Sequence, residues 1–149
     1  MGIDKTVILN KKASFEFLLL QTFTAGIILT GTEVKAIREG KASLSEAYCL
    51  ITNGEIWLKN MHISEYKQGS YNNHEPKRLR KLLLNRTEIR KIESRLKEKG
   101  TTIVPTQLFF NERGFAKIDI AVARGKKMYD KREDLKKKDQ EREIRKVVR

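Results

Sequence analysis

Residues 44–61 read LSEAYCLITNGEIWLKNM, and the pair Asn53-Gly54 near their centre governs how the rest of the chain is read. Asn-Gly between two apolar runs is the strongest short-range hairpin signal, because both positions of the tight turn need positive φ. The spacing predicts antiparallel strands over about 44–52 and 55–61. Working towards the N-terminus, Phe15–Leu20 and Gly26–Thr30 are rich in β-branched and aromatic residues and also read as strands. Gly31 interrupts them, and Thr32 caps a short helix, Glu33–Glu39, that stops at Gly40. Towards the C-terminus, 67–78 holds Gly69, Asn72, Asn73 and Pro76 without periodicity and reads as a surface loop. Thr87 caps a helix over Glu88–Lys99, with Ile89, Ile92 and Leu96 on one face and Gly100 as its stop. Two more strands, about 102–110 and 114–123, turn around Asn111–Gly114. Trp57 and Phe109 are expected in the core. Five to six strands with two to three short helices indicate a mainly β fold, a small OB-like barrel.

The 149 residues carry 32 Lys and Arg against 19 Asp and Glu, a formal net charge of +13. A field of that size attracts polyanions. Nucleic acid is the leading candidate and an anionic membrane surface the rival, but the membrane reading needs a broad amphipathic helix or a lipid anchor, and neither is found. No apolar run approaches the ~20 residues of a membrane span, and the N-terminus has no secretory apolar stretch. A cytoplasmic, monomeric protein is expected. Cys49 is the single cysteine, so no internal disulfide forms, and its apolar surroundings predict a buried, inert thiol. Charge divides the chain in two: a body over 1–123, and a tail over 124–149 that holds 12 basic and 6 acidic residues. The tail has too few apolar residues to fold alone. Its pairs Glu133–Lys137, Asp134–Lys138 and Glu141–Arg145, four apart with the acid first, favour a helix once an anionic partner neutralises the basic excess.

Catalytic arrangements are absent from the pattern. His62 and His74 are the two histidines, and no paired cysteines or His-x-Glu spacing offers a metal site. No glycine-rich phosphate loop occurs. Glu88, Glu93 and Glu98 belong to a charged helix face. The expectation is a protein without enzymatic activity, cofactor or metal.

Several segments, read together, resemble the SsrA-binding protein family, also called small protein B. The clearest is Gly125-Lys126-Lys127-Met128-Tyr129-Asp130-Lys131-Arg132, followed by Asp134-Leu135-Lys136. Asn10-Lys11-Lys12-Ala13, Leu29-Thr30-Gly31-Thr32-Glu33-Val34-Lys35, Arg38-x-Gly40-Lys41-Ala42, Asn60-Met61-His62-Ile63 and Arg80-Lys81-Leu82-Leu83-Leu84 also agree, in family order. The resemblance implies an OB-like barrel that binds the tRNA-like domain of tmRNA and escorts it to stalled ribosomes. It also implies a tail that becomes helical in the empty mRNA channel beyond the decoding centre. On that reading Asn10, Lys11, Lys12, Glu33, Lys35, Arg38, Asn60 and His62 face tmRNA. Gly125, Lys126, Lys127, Tyr129, Asp130, Lys131, Arg132 and Lys136 face ribosomal RNA, with Tyr129 placed to stack on a base. The chain departs from the family pattern at Phe15, where His is common, and at Thr24, where Glu is common. Phe15 can stack a base there, and Thr24 can donate to a phosphate. Two other readings stay open: a general rRNA- or tRNA-binding module, and an RNA-processing enzyme with an acidic site.

Overall fold

The computed structural model describes residues 6–67 and 73–126. In chain order they form β1 (Val7–Leu9), α1 (Lys11–Glu16), β2 (Phe17–Ile27), α2 (Gly31–Arg38), β3 (Ala42–Ser43), β4 (Tyr48–Thr52) and β5 (Glu55–Lys59). There follow β6 (His62–Ile63), β7 (Arg80–Leu83), α3 (Arg86–Arg95), β8 (Thr101–Phe110) and β9 (Ala116–Gly125). A seven-stranded antiparallel sheet runs β1-β8-β4-β5-β7-β2-β9. Because β8 also pairs with β9, the strands β8-β4-β5-β7-β2-β9 close into a ring. The mainly β barrel read from the sequence is thus present, with β3 and β6 paired as a separate ribbon. Among the described residues, no helix is long and apolar enough to cross a membrane.

The hairpin that anchored the reading forms as expected. Asn53 and Gly54 take φ values of 52° and 74°, and Cys49, Leu50 and Ile51 stand opposite Leu58, Trp57 and Ile56. Ile56 and Leu58 enter the core, joined by Ile103, Leu108, Ile118, Ile120 and Val122 from β8 and β9. Each such side chain contributes about 1.5–3 kcal/mol by leaving water. Strand parity then turns Trp57 outwards, half-buried on the barrel's outer face. Phe109 also points outwards, its neighbours Leu108 and Phe110 filling the interior. Neither aromatic is the core residue expected.

β9 is buried continuously from Ile120 to Ala123, which alternation alone does not explain. The cause is α1, whose Ala13 packs with Val104 and Ala123 outside the barrel, supported by Phe17 and Leu19. This helix takes Phe15 and Glu16 from the strand expected at Phe15–Leu20, while 17–20 are strand as expected. β2 starts at Phe17 and runs unbroken for 11 residues through the position taken as a gap. Register shifts lie between Leu19 and Gln21 on β2 and between Pro105 and Gln107 on β8, both opposite β9. Such irregularities bend a strand and let a sheet close, and one of them accommodates a proline that has no N–H to give.

Both longer helices begin two residues earlier than expected. Thr30 caps α2 and Asn85 caps α3, each in a reciprocal box with Glu33 or Glu88 three residues on. β1, β3, β6 and β7 were not anticipated as strands, and the 44–52 strand begins only at Tyr48. β9 continues past residue 123 to Gly125, and the Lys126 N–H donates to the Glu16 carbonyl at 2.8 Å.

Candidate nucleic-acid interface

The start of α1 is fixed by Asn10. Its Oδ1 accepts from the Ala13 N–H at 3.2 Å, capping the helix. Its Nδ2 donates to the Leu44 and Pro105 carbonyls at 3.2 and 2.8 Å, and its backbone N–H donates to the Thr106 carbonyl. One side chain thus caps a helix and takes a carbonyl left over by the β8 irregularity. Asn10 is only 7% exposed. It is enclosed where a tmRNA contact was expected, and its hydrogen bonds place the start of α1.

Those neighbours, Lys11 and Lys12, are both exposed. Lys12 Nζ lies 2.8 Å from Glu46 and 4.0 Å from Glu16. The hydrogen bond with Glu46 holds Lys12 above the ordinary lysine value and Glu46 below its own. Lys126 joins this group from the end of β9, its Nζ donating to the Ser14 carbonyl at 3.0 Å. A hollow of about 260 Å³ opens beside α1, lined by Leu9, Asn10, Lys11, Ser14, Leu19 and Thr106.

A second group surrounds α2. Glu33 is fully buried and meets two guanidinium groups: Arg80 Nε on one carboxylate oxygen and Arg78 Nη2 at 2.6 Å on the other. The Thr30 N–H donates to the same carboxylate at 2.8 Å. Burial pushes Glu33 up, but the hydrogen bonds from Arg78 and Thr30 and the charge of Arg80 outweigh it and leave the carboxyl below the usual glutamate value. Arg80, also fully buried, donates onward to the Met61 and Pro76 carbonyls at 2.8 and 3.2 Å. Glu33 therefore has no free face for a base amino group, the RNA role expected of it. It fixes α2 instead.

With α2 fixed, Lys35 and Arg38 project from it, both exposed. Lys35 Nζ stands 5.5 Å from the Tyr66 ring centroid and the Arg38 guanidinium 5.3 Å from that of Phe110. Ring faces steady such cations. His62 is exposed on β6, opposite Ser43 of β3. Asn60 is half-buried at φ 66°, the left-handed corner between β5 and β6. The segment from Ala42 to Ala47 links the two groups: Ser43 pairs with His62, Leu44 accepts from Asn10, and Glu46 holds Lys12.

Several supports lie outside the residues expected from the sequence. His74, left unassigned, is buried between Thr32 Oγ1 at 2.8 Å and the Ile63 carbonyl at 2.9 Å. A carbonyl only accepts, so Nε2 carries the proton and Nδ1 accepts from Thr32. Asn73 bonds the Tyr66 backbone twice, at 2.7 and 3.2 Å, and thereby sets the ring beneath Lys35. Thr24 does not present a free hydroxyl for a phosphate, because it donates to Asp119 at 2.6 Å. Phe15 sits half-buried in α1. Of the expected tail residues, Gly125 ends β9 and Lys126 follows it, while Lys127, Tyr129, Asp130, Lys131, Arg132 and Lys136 lie outside the described residues. Among the described residues, no group of three His, Cys, Asp or Glu could hold a metal ion.

The family model described as SmpB protein matches residues 7–149. An SsrA-binding protein of Phocaeicola vulgatus is 60% identical over 135 residues, 91% of this chain and 90% of that one. An SsrA-binding protein of Cytophaga hutchinsonii is 59% identical over 138 residues, 93% of this chain and 90% of the other. A chain in the solved structure described as "tmRNA-SmpB: a journey to the center of the bacterial ribosome" superposes with a TM-score of 0.70 at 43% identity, covering 83% of this chain and 86% of its own. With the barrel, the cations of α1 and α2 and these matches taken together, the chain belongs to the SmpB family of SsrA-binding proteins.

Proposed function

We propose that this protein binds the tRNA-like domain of tmRNA and delivers it to stalled ribosomes for trans-translation, acting as a non-enzymatic adaptor. The likeness at 43% identity to a chain described with tmRNA and the ribosome is the observation that carries the reading. The chemistry of the barrel agrees with it. Lys11, Lys12, Lys35 and Arg38 supply exposed cations for phosphates, which position an RNA without reading its sequence. His62 lies beside them as a hydrogen-bonding group. Asn10 and Glu33 act from inside, holding α1 and α2 at the angles that aim those cations, and Asn60 shapes the corner before His62. The tail, with Lys127, Tyr129, Asp130, Lys131, Arg132 and Lys136, reaches for ribosomal RNA in the empty mRNA channel.

The test is a competition assay at near-physiological salt, because a charge of +13 binds almost any RNA when salt is low. The whole protein is offered a tmRNA tRNA-like domain against a size-matched unrelated hairpin. Strong preference for the tRNA-like domain supports the reading. Equal binding would reduce the protein to a general RNA-binding module of the translation apparatus. A full-length variant with Lys127, Lys131, Arg132 and Lys136 changed to Gln should keep that preference and lose activity in ribosome rescue.

A further inference from the structure

Thr24, Asp119 and Gln107 stand opposite one another on β2, β9 and β8. Their side chains form one polar rung across the outside of the barrel. The Asp119 carboxylate accepts from Thr24 Oγ1 at 2.6 Å and from Gln107 Nε2 at 2.7 Å, one donor on each oxygen. Thr24 is exposed, and Asp119 and Gln107 are half-buried. Gln107 faces Leu9 in register, and the Leu9 side chain is 57% exposed. Thr106, the next residue along β8, lines the hollow beside α1 together with Leu9, Lys11, Ser14 and Leu19. Thr106 Oγ1 also donates to the Asp119 carbonyl at 3.3 Å, which ties the hollow to the rung. The hollow therefore has apolar walls in Leu9 and Leu19 and a cation, Lys11, in its lining, and it adjoins the rung through Thr106 and through Leu9, which faces Gln107.

We infer that this hollow receives an unpaired guanine of the bound RNA, with Asp119 accepting from its Watson–Crick edge. The inference rests on the RNA-binding function proposed above and adds a site that reads a base. A carboxylate repels phosphate, so on a surface that grips RNA it contributes by meeting a donor. Acidic side chains do this by accepting from base N–H groups. Thr24 and Gln107 fix the plane of Asp119 in advance, while each carboxylate oxygen keeps a further lone pair. Guanine presents both an N1–H and an N2 amino group on one edge, the pair of donors a fixed carboxylate matches. Unpaired bases are splayed from RNA loops and read in this manner. Leu9 and Leu19 offer the apolar contact for the ring, and Lys11 supplies the charge for an adjoining phosphate.

The experiment uses the full-length protein, its Asp119→Asn variant, and tRNA-like-domain RNAs in which each unpaired guanosine is replaced in turn by inosine, which lacks the N2 amino group. The native protein should lose about tenfold in affinity at one such position. Asp119→Asn should bind that RNA and its unmodified parent within about twofold, so that the two changes are coupled. A rung that served only the sheet would lower the melting temperature and weaken every RNA alike, leaving the inosine ratio intact. That result, or no inosine penalty at any position in the native protein, overturns the inference. Failure of the native protein to prefer the unmodified tRNA-like domain over the hairpin is read separately, and overturns the underlying function instead.

Discussion

Replacing Glu33 by Gln removes one charge and changes almost no volume, which makes it a sharp test of the interior. The carboxylate receives Arg80 Nε, Arg78 Nη2 and the Thr30 N–H. Gln keeps a single accepting oxygen and turns an amide NH₂ against a guanidinium donor. Arg80 is 0% exposed, so its charge stays in the interior, bonded to the Met61 and Pro76 carbonyls but to no carboxylate. Breaking one side of a fully buried pair costs about 3–5 kcal/mol. Arg78 adds little to that sum, since its side chain is 34% exposed and water can replace Glu33 there. A domain of this size is stable by roughly 5–15 kcal/mol, so about a fifth or more is at stake. Urea unfolding followed by the fluorescence of Trp57, the single tryptophan, reads the loss directly. With a slope of about 2 kcal/mol per M, the midpoint should fall by roughly 1.5–2.5 M. The double change Glu33→Leu with Arg80→Met removes both charges and should recover all but about 1–2 kcal/mol, the remainder being the lost helix cap. A single-variant shift below about 0.5 M would refute the argument that a buried charge is stranded.

The same group sets a pH signature. The folded carboxyl lies below the usual glutamate value of 4.5, so its ionised form contributes stability that is fully present above that value. The contribution is lost as pH falls from there through the folded value. The gap in stability between the native protein and Glu33→Gln should therefore be widest near neutrality and narrow in acid.

Asn10→Ala should lose about 2–3 kcal/mol, a helix cap plus donors for the Leu44 and Pro105 carbonyls, measured by the same urea titration. RNA affinity should fall with it; affinity falling at unchanged stability would mean that Asn10 touches RNA after all. Asn60→Gly should leave stability and tmRNA binding near native, because the left-handed corner is all the position demands, while Asn60→Val should lose about 1–2 kcal/mol. Loss of binding by the glycine variant would assign the amide to RNA. Lys11→Ala and Lys35→Ala should each leave unfolding unchanged and reduce the slope of log affinity against log salt by about 0.7–0.9, one phosphate contact apiece. An unchanged slope would remove that lysine from the interface.

Local rules carried the hairpin and failed where a distant partner decides. Asn53-Gly54 needs only its own backbone preferences, and the turn formed as read. The caps were recoverable: Thr30-x-x-Glu33 and Asn85-x-x-Glu88 are both capping boxes, and the threonines chosen instead lie inside their helices. Trp57 was also recoverable, since Glu55 and Lys59 share its parity and mark that face as the wet one. α1 was not. Phe15 favours a strand by itself, and what stabilises the helix is Asn10 reaching Leu44 and Pro105, which are 34 and 95 residues away. Arg80 is a harder case, because nothing in Arg80–Leu83 says that the arginine turns inwards and the final leucine outwards. That orientation follows only once Glu33, 47 residues earlier, waits inside.

A family pattern of polar residues mixes two kinds of work that sequence alone does not separate. Asn10 and Lys11 are adjacent, as Glu33 and Lys35 nearly are, yet in each pair the first is enclosed and the second exposed. The enclosed member fixes a helix, and the helix fixes the cation. Burial therefore divides the pattern into groups whose loss couples stability to affinity and groups whose loss touches affinity alone. Asp119 belongs to neither class in its simple form. It is held by Thr24 and Gln107 as firmly as an architectural residue, but it is half-exposed on the surface that carries the hollow. A side chain held rigid while still reachable is preorganised: the ordering cost of its contact is met before the ligand arrives. On this barrel that condition falls on a carboxylate amid a basic excess, the place where discrimination between bases, rather than attraction to phosphate, has a physical basis.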